Sequence, residues 1–516
     1  MQAKPNEESH VAKKPKIEDA PSEGLKKKKK AGGFKVGLFN IPKFATAAEV
    51  KKLVKKYDLE PVKVIRPGGK KTFAYVIFRD EETQCAAIKR MNGIIWKKQR
   101  LRVDKPVVTH SSVREKNAPL YKMQYEEQLV HKKTCIQDVL DNYCSSVKNV
   151  WLKKFPEADY NFKVSEIKPS SVLEGYRNKC TFLIGTNRDM ANKKCIGFGN
   201  GATGAGNISI EEPFECTDTC SELMFEEVRK FSGYLETSPE PVYDSQSNVG
   251  VWKALEMRTN NDNAIMITPI VDMRPLDPTR LAALKSNLIN FYTDRTNCSL
   301  FLKLVGGKEQ TFHLSGPEYF TEKLCGFEFQ ITSESFFHIN TAAAATLYET
   351  VCGTASLDKD THLLDLCCGT GTIGIILSPH VKHVYGIELV ASAVEDAKRN
   401  AKRNNVENIS FYAGNAKTAT SPVIRRIPKD SRIVAIVDPP RNGLHQDVIS
   451  TLRGNAEIKE VVYVSCDIKQ ITDNIVSLCG PTSSKYMGDP FKFVNCVAVD
   501  LFPHTNRFEV VFHFKR

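Results

Sequence analysis

The stretch Asp365-Leu-Cys-Cys-Gly369-Thr-Gly371-Thr-Ile-Gly374 begins inside a short apolar run, His362 to Leu366. A run of this kind that ends in closely spaced glycines is typical of a strand that turns tightly into a helix. The glycines also let the backbone approach a bound ligand, as they do in nucleotide-binding α/β folds. The spacing alone does not distinguish a dinucleotide from another cofactor that contains a nucleoside.

Six further apolar runs follow along the chain, with stretches of helical spacing between them. They are Val384 to Ile387, Ile409 to Tyr412, Ile433 to Val437, Val461 to Val464, Val494 to Leu501 and Phe508 to Phe514. Continuous apolar strands that alternate with helices are typical of a mostly parallel sheet covered on both faces. We therefore predict an α/β fold with a doubly wound sheet over residues 336–516.

Carboxylates stand at the predicted strand ends. Asp365 lies before the first glycine, where it can hold an ammonium group, and Glu388 ends the second strand, where a carboxylate can accept both ribose hydroxyls. Asp438-Pro-Pro-Arg441 follows the fourth strand, at the edge where open α/β sheets bind ligands. In this order the signals resemble class I methyltransferases, which implies S-adenosylmethionine as the cofactor. An enzyme that binds NAD is the alternative.

Two segments further along carry the candidate chemistry. Val464-Ser-Cys466-Asp467 closes the fifth strand, and Asp500-Leu-Phe-Pro-His504-Thr-Asn-Arg-Phe-Glu509 leads into the last. Together with the Asp-Pro-Pro-Arg turn, they closely resemble the RNA uracil-5-methyltransferase family. The resemblance implies that a Cys466 thiolate adds to carbon 6 of a uridine and that Glu509 removes the proton from carbon 5. In the sheet that this chain resembles the last strand is antiparallel, so both residues are expected to face one pocket.

The same resemblance implies further positions around the methyl donor. These are His338, Cys367, Thr372, Glu388, Asn415 and Asp438. His338 stands where the family commonly has glutamine. Arg441 is expected either to bind a phosphate or the uracil edge or to form a surface ion pair. His504 is expected either to serve the base or to cap a turn.

Phe34 to Pro106 has a βαββαβ pattern that resembles an RNA recognition motif. Its stretch Lys71-Thr-Phe73-Ala-Tyr75-Val-Ile-Phe78 puts Phe73 and Tyr75 on one face of a strand, where exposed rings can stack on unpaired bases. Lys71 is expected to contact phosphate. Gly37 stands where an aromatic residue is usual, so one stacking platform is missing. Base binding and a protein-docking role therefore both stay open for this domain.

The pattern predicts five regions along the chain. They are a disordered basic tail (1–32), the RNA recognition motif (33–106), a helical connector (107–165), a β-rich central RNA-binding domain (166–335) and the methyltransferase domain (336–516). Lysine clusters in the tail fit either a nuclear import signal or a solvated segment with nonspecific attraction to phosphate.

Composition narrows the classes of function. The 516-residue chain has a formal net charge of +13, which favours a nucleic-acid partner. No run approaches the length of a membrane span, and no secretory or transit segment is recognisable. The 15 cysteines are scattered, so reduced thiols in cytosol or nucleus are expected and no metal cluster is predicted. The spacing of Cys216 and Cys220 has no matching second pair.

The sequence therefore predicts an S-adenosylmethionine-dependent enzyme that methylates carbon 5 of a uridine. An RNA recognition motif ahead of this sheet is similar to the tRNA-modifying branch of the family, which implies tRNA and its T-loop uridine as the substrate. The same chemistry on rRNA or mRNA is one alternative. A non-catalytic RNA-binding protein or chaperone is another. The sequence predicts no oligomeric state.

Overall fold

The computed structural model describes residues 34–66, 72–97, 99–104, 112–151, 162–187, 190, 193–200, 208–245 and 247–516, with side chains left out for 146–151. The tail predicted over 1–32 and the candidate residue Lys71 lie outside these ranges. The chain divides into two compact units, one within residues 1–110 and one within 111–516. Among the described helices, none is both long and apolar enough to cross a bilayer.

The first unit has the predicted alternation of strands and helices. Its elements are β1 (Phe34–Phe39), α1 (Ala47–Lys55), β2 (Lys63–Ile65), β3 (Phe73–Phe78), α2 (Glu81–Met91), β4 (Ile95–Trp96), β5 (Gln99–Arg100) and β6 (Arg102–Asp104). The main sheet has the order β2-β3-β1-β6. Thr46 and Asp80 accept backbone N–H groups at the starts of α1 and α2, which fixes where both helices begin. Their apolar sides and one face of the sheet form a single core.

The second unit begins with two helices, continues as a β-rich region and ends as an α/β sheet. Its first elements are α3 (Val113–Asn117), α4 (Tyr125–Trp151), β7 (Val164–Lys168), β8 (Lys179–Asn187), β9 (Lys193–Asn200), β10 (Ser209–Glu211), α5 (Glu222–Thr237), β11 (Trp252–Thr259), β12 (Ile265–Asp272), α6 (Pro278–Tyr292), β13 (Cys298–Val305), β14 (Gln310–Ser315), β15 (Phe320–Leu324) and β16 (Phe327–Ile331). Strands β8 to β14 form one sheet of order β10-β9-β8-β11-β12-β13-β14. Helices α5 and α6 pack on one of its faces.

The remaining elements alternate. They are α7 (Thr341–Thr354), β17 (His362–Leu366), α8 (Thr372–Leu377), a 3-10 turn (Ser378–His380), β18 (His383–Glu388), α9 (Ala391–Arg403), β19 (Ile409–Ala413), α10 (Ala416–Ile424), β20 (Ile433–Val437), α11 (Gln446–Gly454), β21 (Ile458–Ser465), α12 (Thr472–Cys479), β22 (Lys492–Val499) and β23 (Glu509–Lys515). They build a sheet of order β19-β18-β17-β20-β21-β23-β22-β7. The prediction of a doubly wound α/β sheet is confirmed, and β23 is antiparallel to β21, as expected.

This catalytic sheet is buried on both faces. Every residue of β17 and β20 is buried, because helices cover the sheet from either side. One face packs against α4, α10, α11 and α12 through residues such as Leu140, Ile449 and Ile475. The other face packs against α7 and α8 through residues such as Leu347 and Ile375.

The prediction of a separate helical connector over residues 107–165 is wrong for helix α4 and strand β7, which are part of the catalytic sheet and its core. Ile136, Leu140 and Tyr143 of α4 lie in the core of the catalytic sheet. Strand β7 is the edge strand of that sheet, parallel to β22. Strand β22 lies more than 300 positions from β7 along the chain, so a local pattern does not reveal their pairing. These residues belong to the catalytic core rather than to a separate connector.

A buried ion pair joins α4 to the loop between β22 and β23. Lys132 Nζ lies 2.6 Å from Asp500 Oδ1, and both side chains are completely buried. Lys132 also donates to the Phe502 carbonyl (3.0 Å), and the Tyr125 hydroxyl donates to Asp500 Oδ2 (3.1 Å). The network holds the loop that leads to Glu509.

Lys132→Met is expected to destabilise the protein by roughly 3–5 kcal/mol, because it leaves the Asp500 carboxylate buried without a cation. Urea unfolding followed by tryptophan fluorescence measures the change. Lys122→Met is the matched control, since it removes an exposed ion pair with Glu115 and should leave the unfolding midpoint nearly unchanged. Equal midpoints for the two variants would show that the buried pair does not stabilise the loop.

Candidate active site

Four strands of the catalytic sheet end at one edge with candidate functional residues. Parallel pairing aligns the ends of β17, β18 and β20, so that Cys367, Glu388 and Asp438 stand at the same level. Strand β21 is parallel to β20 and is followed by Cys466. The site therefore lies at the carboxyl edge of the sheet, where open α/β folds bind their ligands.

The glycine loop turns from β17 into α8 at this edge. Gly371 has φ +79°, and a Cβ there would approach the Phe411 ring to 2.8 Å, so only glycine fits without movement. Gly369 also has a left-handed φ, but a Cβ there would meet no atom within 4 Å. The loop is thus packed tightly on its inner side and faces open space at Gly369.

Asp365 is a buried carboxyl group under this loop. Its Oδ2 accepts the Gly374 N–H at 3.0 Å, whereas Oδ1 is buried and has no partner among the described residues. Burial raises the pKa of Asp365 to about 7. A nearby cation would favour the ionised form and satisfy Oδ1. Asp365 Oδ1 fits the ammonium group of S-adenosylmethionine. The open space at Gly369 fits its nucleoside.

The other predicted donor positions surround the loop. Glu388 accepts the N–H groups of Gly369 (3.0 Å) and Val390 (2.9 Å), which fixes its carboxylate beside the glycines. Thr372 is the buried first residue of α8, with Oγ1 3.1 Å from Thr370 Oγ1.

Two more of these positions stand at strand ends. Asn415 is exposed and caps α10 by accepting the Lys417 N–H. Cys367 has φ +62°, and burial, with the charge of Glu388, raises the pKa of its thiol to about 12. A thiol of that pKa stays neutral, so Cys367 contributes shape rather than charge to the site.

Cys466 and Glu509 are brought together by strand pairing. Antiparallel register pairs Ser465 of β21 with Val510 of β23. The next position along each strand toward the edge is Cys466 on one side and Glu509 on the other. Cys466 is partly exposed, and Glu509 is buried. Two residues 43 positions apart in the chain thus stand at facing positions on one edge of the sheet.

The charges around Cys466 oppose each other. Burial raises the pKa of its thiol, and the carboxyl groups of Glu509 and Asp438 raise it further. The positive charge of the Arg441 guanidinium lowers the pKa of the thiol. Arg441 is thus the cation that favours the thiolate, and it is exposed at the mouth of the site.

Arg441→Gln is expected to shift the ionisation of Cys466 to higher pH, because the variant keeps the two acids and loses the cation. The rate of iodoacetamide alkylation of the Cys466 peptide, followed by mass spectrometry across a pH series, measures this. Arg425→Gln, at the end of α10, is the control. An unchanged alkylation profile in Arg441→Gln would contradict the assigned effect.

Glu509 and Asp438 are carboxyl groups with raised pKa values. Burial raises the pKa of Glu509 well above its usual range, and the charge of Asp438 adds to the shift. Burial raises the pKa of Asp438 to about 7. Burial therefore makes both carboxylates stronger proton acceptors than exposed ones, which suits an acid–base role.

His338 is hydrogen-bonded to a residue that the sequence analysis did not single out. Its Nδ1 is 2.7 Å from the hydroxyl of Tyr348 on α7. The pKa of Tyr348 is raised by burial and by the charges of Asp438, Asp365 and Glu509, so its hydroxyl lies within electrostatic range of all three carboxyl groups. Tyr348 stands ten positions after His338 inside an apolar helix, so its pattern is that of a core residue.

His504 is held by the buried side chain of Gln128. Gln128 Oε1 accepts the His504 N–H at 2.8 Å, and Gln128 Nε2 lies 3.0 Å from His504 Nδ1. His504 itself has φ +63°. The neighbouring Pro503 carbonyl accepts the hydroxyl of Tyr176 at 3.1 Å. These hydrogen bonds hold His504 in the turn that precedes Glu509.

The first unit carries a separate aromatic surface. Phe73 and Tyr75 share one face of β3, with ring centroids 5.5 Å apart, and Phe39 of β1 lies 6.3 Å from Phe73. A Cβ at Gly37 would come within 2.7 Å of the Phe39 ring, so Phe39 covers the position where the sequence analysis found an aromatic missing. Lys35 lies over the Tyr75 ring (3.8 Å) and Arg102 over the Phe39 ring (4.5 Å).

Cysteines elsewhere do not form a recognisable metal site. Within the described ranges, no group of three or more His, Cys, Asp or Glu side chains could hold a metal ion. Cys216 and Cys220 are buried, and Cys220 Sγ lies 3.8 Å from Cys180 Sγ.

Strand order and the position of the glycine loop define the class: the second unit is a class I methyltransferase that uses S-adenosylmethionine. It resembles the crystal structure of Pyrococcus abyssi tRNA (uracil-54, C5)-methyltransferase in complex with S-adenosyl-L-homocysteine. The TM-score is 0.58 at 21% identity, over 82% of this chain and 90% of that one. This likeness supports the fold.

Sequence comparisons specify the family. Residues 284–515 match the family described as tRNA (Uracil-5-)-methyltransferase, and residues 36–102 match the RNA recognition motif. The chain is 31% identical to human tRNA (uracil-5-)-methyltransferase homolog A, over 94% of this chain and 83% of that protein. It is 32% identical to human homolog B, over 77% of this chain and 82% of that protein. The chain belongs to the tRNA (uracil-5-)-methyltransferase family and is a methyltransferase with an RNA partner.

Proposed function

We propose that this enzyme methylates carbon 5 of the T-loop uridine of tRNA through a covalent adduct between Cys466 and carbon 6. The observation that carries the proposal is the pairing of Cys466 with Glu509 at the sheet edge that also carries the glycine loop. A nucleophile, a base and a donor site then meet in one pocket. Activation of a ring carbon for methylation requires all three.

The cysteine is needed to make carbon 5 of uracil reactive toward the methyl donor. Carbon 5 of uracil is a poor nucleophile, because the ring draws electron density toward its carbonyl groups. Addition of the Cys466 thiolate to carbon 6 breaks the double bond between carbons 5 and 6 and forms an enolate, which makes carbon 5 electron-rich. Arg441 favours the thiolate that starts this step.

The donor site is assigned to residues around the glycine loop. Those that would hold S-adenosylmethionine are Asp365, His338, Cys367, Thr372, Glu388, Asn415 and Asp438. When bound, S-adenosylmethionine supplies an electrophilic methyl group to carbon 5. Asp365 Oδ1 would accept from the ammonium group, and the Glu388 carboxylate would accept from the ribose hydroxyls.

Glu509 completes the reaction. Once carbon 5 carries the methyl group, its proton must leave before the bond between Cys466 and carbon 6 can break. Glu509 takes that proton, the electron pair restores the double bond, and Cys466 departs as a thiolate. Negative charge on Glu509 raises the pKa of Cys466, so the pocket disfavours two charges at once. When Cys466 bonds to carbon 6, the thiolate becomes a neutral thioether. The repulsion between the two negative charges is then gone before Glu509 takes the proton.

The proposed target rests on the relatives. One similar structure is that of an enzyme named for uracil 54 of tRNA, and the human relatives are named for tRNA. The same chemistry on an rRNA or mRNA uridine is the second candidate, since the site itself recognises only the base.

An unmodified tRNA transcript tests the proposal. With radiolabelled S-adenosylmethionine, 5-methyluridine is expected at the T-loop position by mass mapping of nuclease fragments. A transcript with cytidine at that position should take up no label. Label only in rRNA or mRNA fractions of total RNA would reject the tRNA assignment. No label in any RNA, with RNA binding intact, would favour a non-catalytic RNA-binding protein.

The aromatic face of the first unit is proposed to hold unpaired bases. Phe39→Ala in the full-length protein is expected to weaken tRNA binding by roughly 5- to 150-fold, which corresponds to about 1–3 kcal/mol per stacked base. Filter binding at fixed salt measures the affinity. Phe44→Ala is the matched control, because Phe44 is 83% exposed and lies outside the sheet strands. Equal affinities for the two variants would favour a protein-docking role for this face.

A further inference from the structure

His338 and Tyr348 form a buried, hydrogen-bonded pair, and Tyr348 packs in the core of the catalytic sheet. His338 lies in the segment before α7, and its carbonyl accepts the side-chain N–H of Asn178 at 2.8 Å. The N–H of Asn178 also donates to the Ile339 carbonyl at 2.7 Å. His338 is 8% exposed and Tyr348 is 3% exposed. The central domain thus holds the backbone at His338, while α7 holds its ring.

The direction of the hydrogen bond in this pair follows from the chemistry of its two groups. Among the described residues, His338 Nδ1 is the one hydrogen-bond partner of the Tyr348 hydroxyl. If Nδ1 donated its proton to the phenol oxygen, the phenol O–H would be buried without an acceptor, which is costly. The phenol therefore donates, Nδ1 accepts, and the ring proton sits on Nε2.

The imidazole stays neutral in this environment. Burial lowers the pKa of His338 to about 4, so at neutral pH the ring carries one proton and exists as one of two tautomers. No hydrogen bond to Nε2 is present among the described residues. The Nε2 N–H is therefore free to donate to a ligand oxygen, and the phenol that holds the ring interacts electrostatically with Asp438, Asp365 and Glu509.

We propose that Tyr348 is a positioning residue that fixes His338 as the Nε2–H tautomer, so that His338 donates a hydrogen bond to an oxygen of the bound ligand. The oxygen belongs either to the carboxylate of the methyl donor or to a carbonyl of the target pyrimidine, where charge develops when the thiolate adds. The inference rests on the proposed function for the identity of the ligand. The tautomer itself does not depend on it.

Nitrogen-15 NMR of histidine-labelled protein tests the tautomer without any RNA. The His338 signals are identified by their loss in His338→Gln. Wild type is expected to show a protonated Nε2 and an unprotonated Nδ1, and Tyr348→Phe should show a mixture or the other tautomer. Tyr292→Phe is the control, because it removes another buried phenol hydrogen bond, to Glu227 in the central domain. A protonated Nδ1 in the wild type would overturn the proposal.

A double-mutant cycle tests the functional consequence. Tyr348→Phe should lower kcat/KM about tenfold in the wild-type background, as expected for one misdirected hydrogen bond. In the His338→Gln background it should change kcat/KM by less than about twofold, because an amide donates without needing a tautomer. An equal loss in both backgrounds would show that Tyr348 acts through packing and would overturn the proposal.

Two measurements distinguish the sources of the ligand oxygen. If the oxygen is the donor's carboxylate, Tyr348→Phe should weaken S-adenosylhomocysteine binding about tenfold in calorimetry without RNA. If the oxygen is a pyrimidine carbonyl, that affinity should hold, and kcat at saturating donor should fall instead. Unchanged donor affinity together with unchanged kcat would overturn the proposal. Because calorimetry and NMR need no RNA, failure of the proposed tRNA substrate would not be mistaken for failure of this inference.

Discussion

Cys466→Ala is expected to abolish the covalent complex that the protein forms with tRNA carrying 5-fluorouridine at the target position. In the proposed mechanism, thiolate addition and methyl transfer leave fluorine on carbon 5 of the wild-type adduct, and Glu509 would not remove fluorine as it removes a proton. The adduct should therefore accumulate as a slowly migrating band on a denaturing gel. Without a thiol at position 466 no bond to carbon 6 can form, and methylation of normal tRNA should fall about a thousand-fold or more.

Cys352→Ala is the matched control for this experiment. Cys352 is a partly buried thiol on α7 with a raised pKa, as Cys466 is, but it lies outside the strand ends that form the site. It should give the wild-type band. A band of undiminished intensity in Cys466→Ala would show that another group adds to the base and would reject the proposed nucleophile. Calorimetry with S-adenosylhomocysteine verifies that both variants keep the donor site.

The catalytic sheet is predictable from sequence because its strands are buried on both faces. The predicted runs His362 to Leu366 and Ile433 to Val437 coincide with β17 and β20. Burial on both faces leaves an unbroken apolar run, and the helices between them follow from their own periodicity. The strand-end residues Glu388 and Cys466 follow from the same pattern, because parallel strands bring their ends to one edge.

Contacts between distant segments are less accessible to sequence reasoning. Lys132 reads as one of several lysines on an amphipathic helix, yet it is completely buried against Asp500. Tyr348 has the pattern of a core residue of α7, yet its hydroxyl is hydrogen-bonded to His338 and lies within electrostatic range of three carboxyl groups. Their roles depend on partners that only the folded chain brings near.

Phe39 illustrates a different limit. The sequence analysis found glycine at position 37, where the motif usually has an aromatic residue. In the structure, the ring of Phe39, two residues later on the same face of β1, occupies that space. Side chains on one face of a strand recur every second residue, so Phe39 can cover the space that the missing Cβ leaves. A position-by-position comparison does not detect this, because the ring and the space belong to different positions.

The raised pKa of Glu509 determines how its substitution affects the stability of the protein. Glu509 is buried with a raised pKa, and glutamine is its neutral isostere. Folding then takes up a proton, and stability falls as pH rises from the ordinary carboxyl range toward the folded pKa. Glu509→Gln has no such proton to lose and should unfold at a higher urea concentration than wild type at neutral pH. The variant is thus expected to fold and to bind RNA.

Glu509→Gln is expected to trap the enzyme on normal tRNA. Cys466 can still add to carbon 6, and carbon 5 can still receive the methyl group, but no base removes the remaining proton. Release of methylated tRNA should fall by roughly 100- to 10,000-fold, the range for loss of a general base. A protein–tRNA band that carries the radiolabelled methyl group should appear on a denaturing gel without any fluorinated base.

The double variant Cys466→Ala/Glu509→Gln should lose this band, since the bond to the base is gone. Omission of S-adenosylmethionine should also remove it, because the unmethylated adduct can reverse. If Glu509→Gln were inactive and formed no band, Glu509 would be needed before methyl transfer, and its charge rather than its basicity would matter. If it turned over at the wild-type rate, another group would take the proton. Asp438 would then be the first to test, because burial raises its pKa to about 7 in the same pocket.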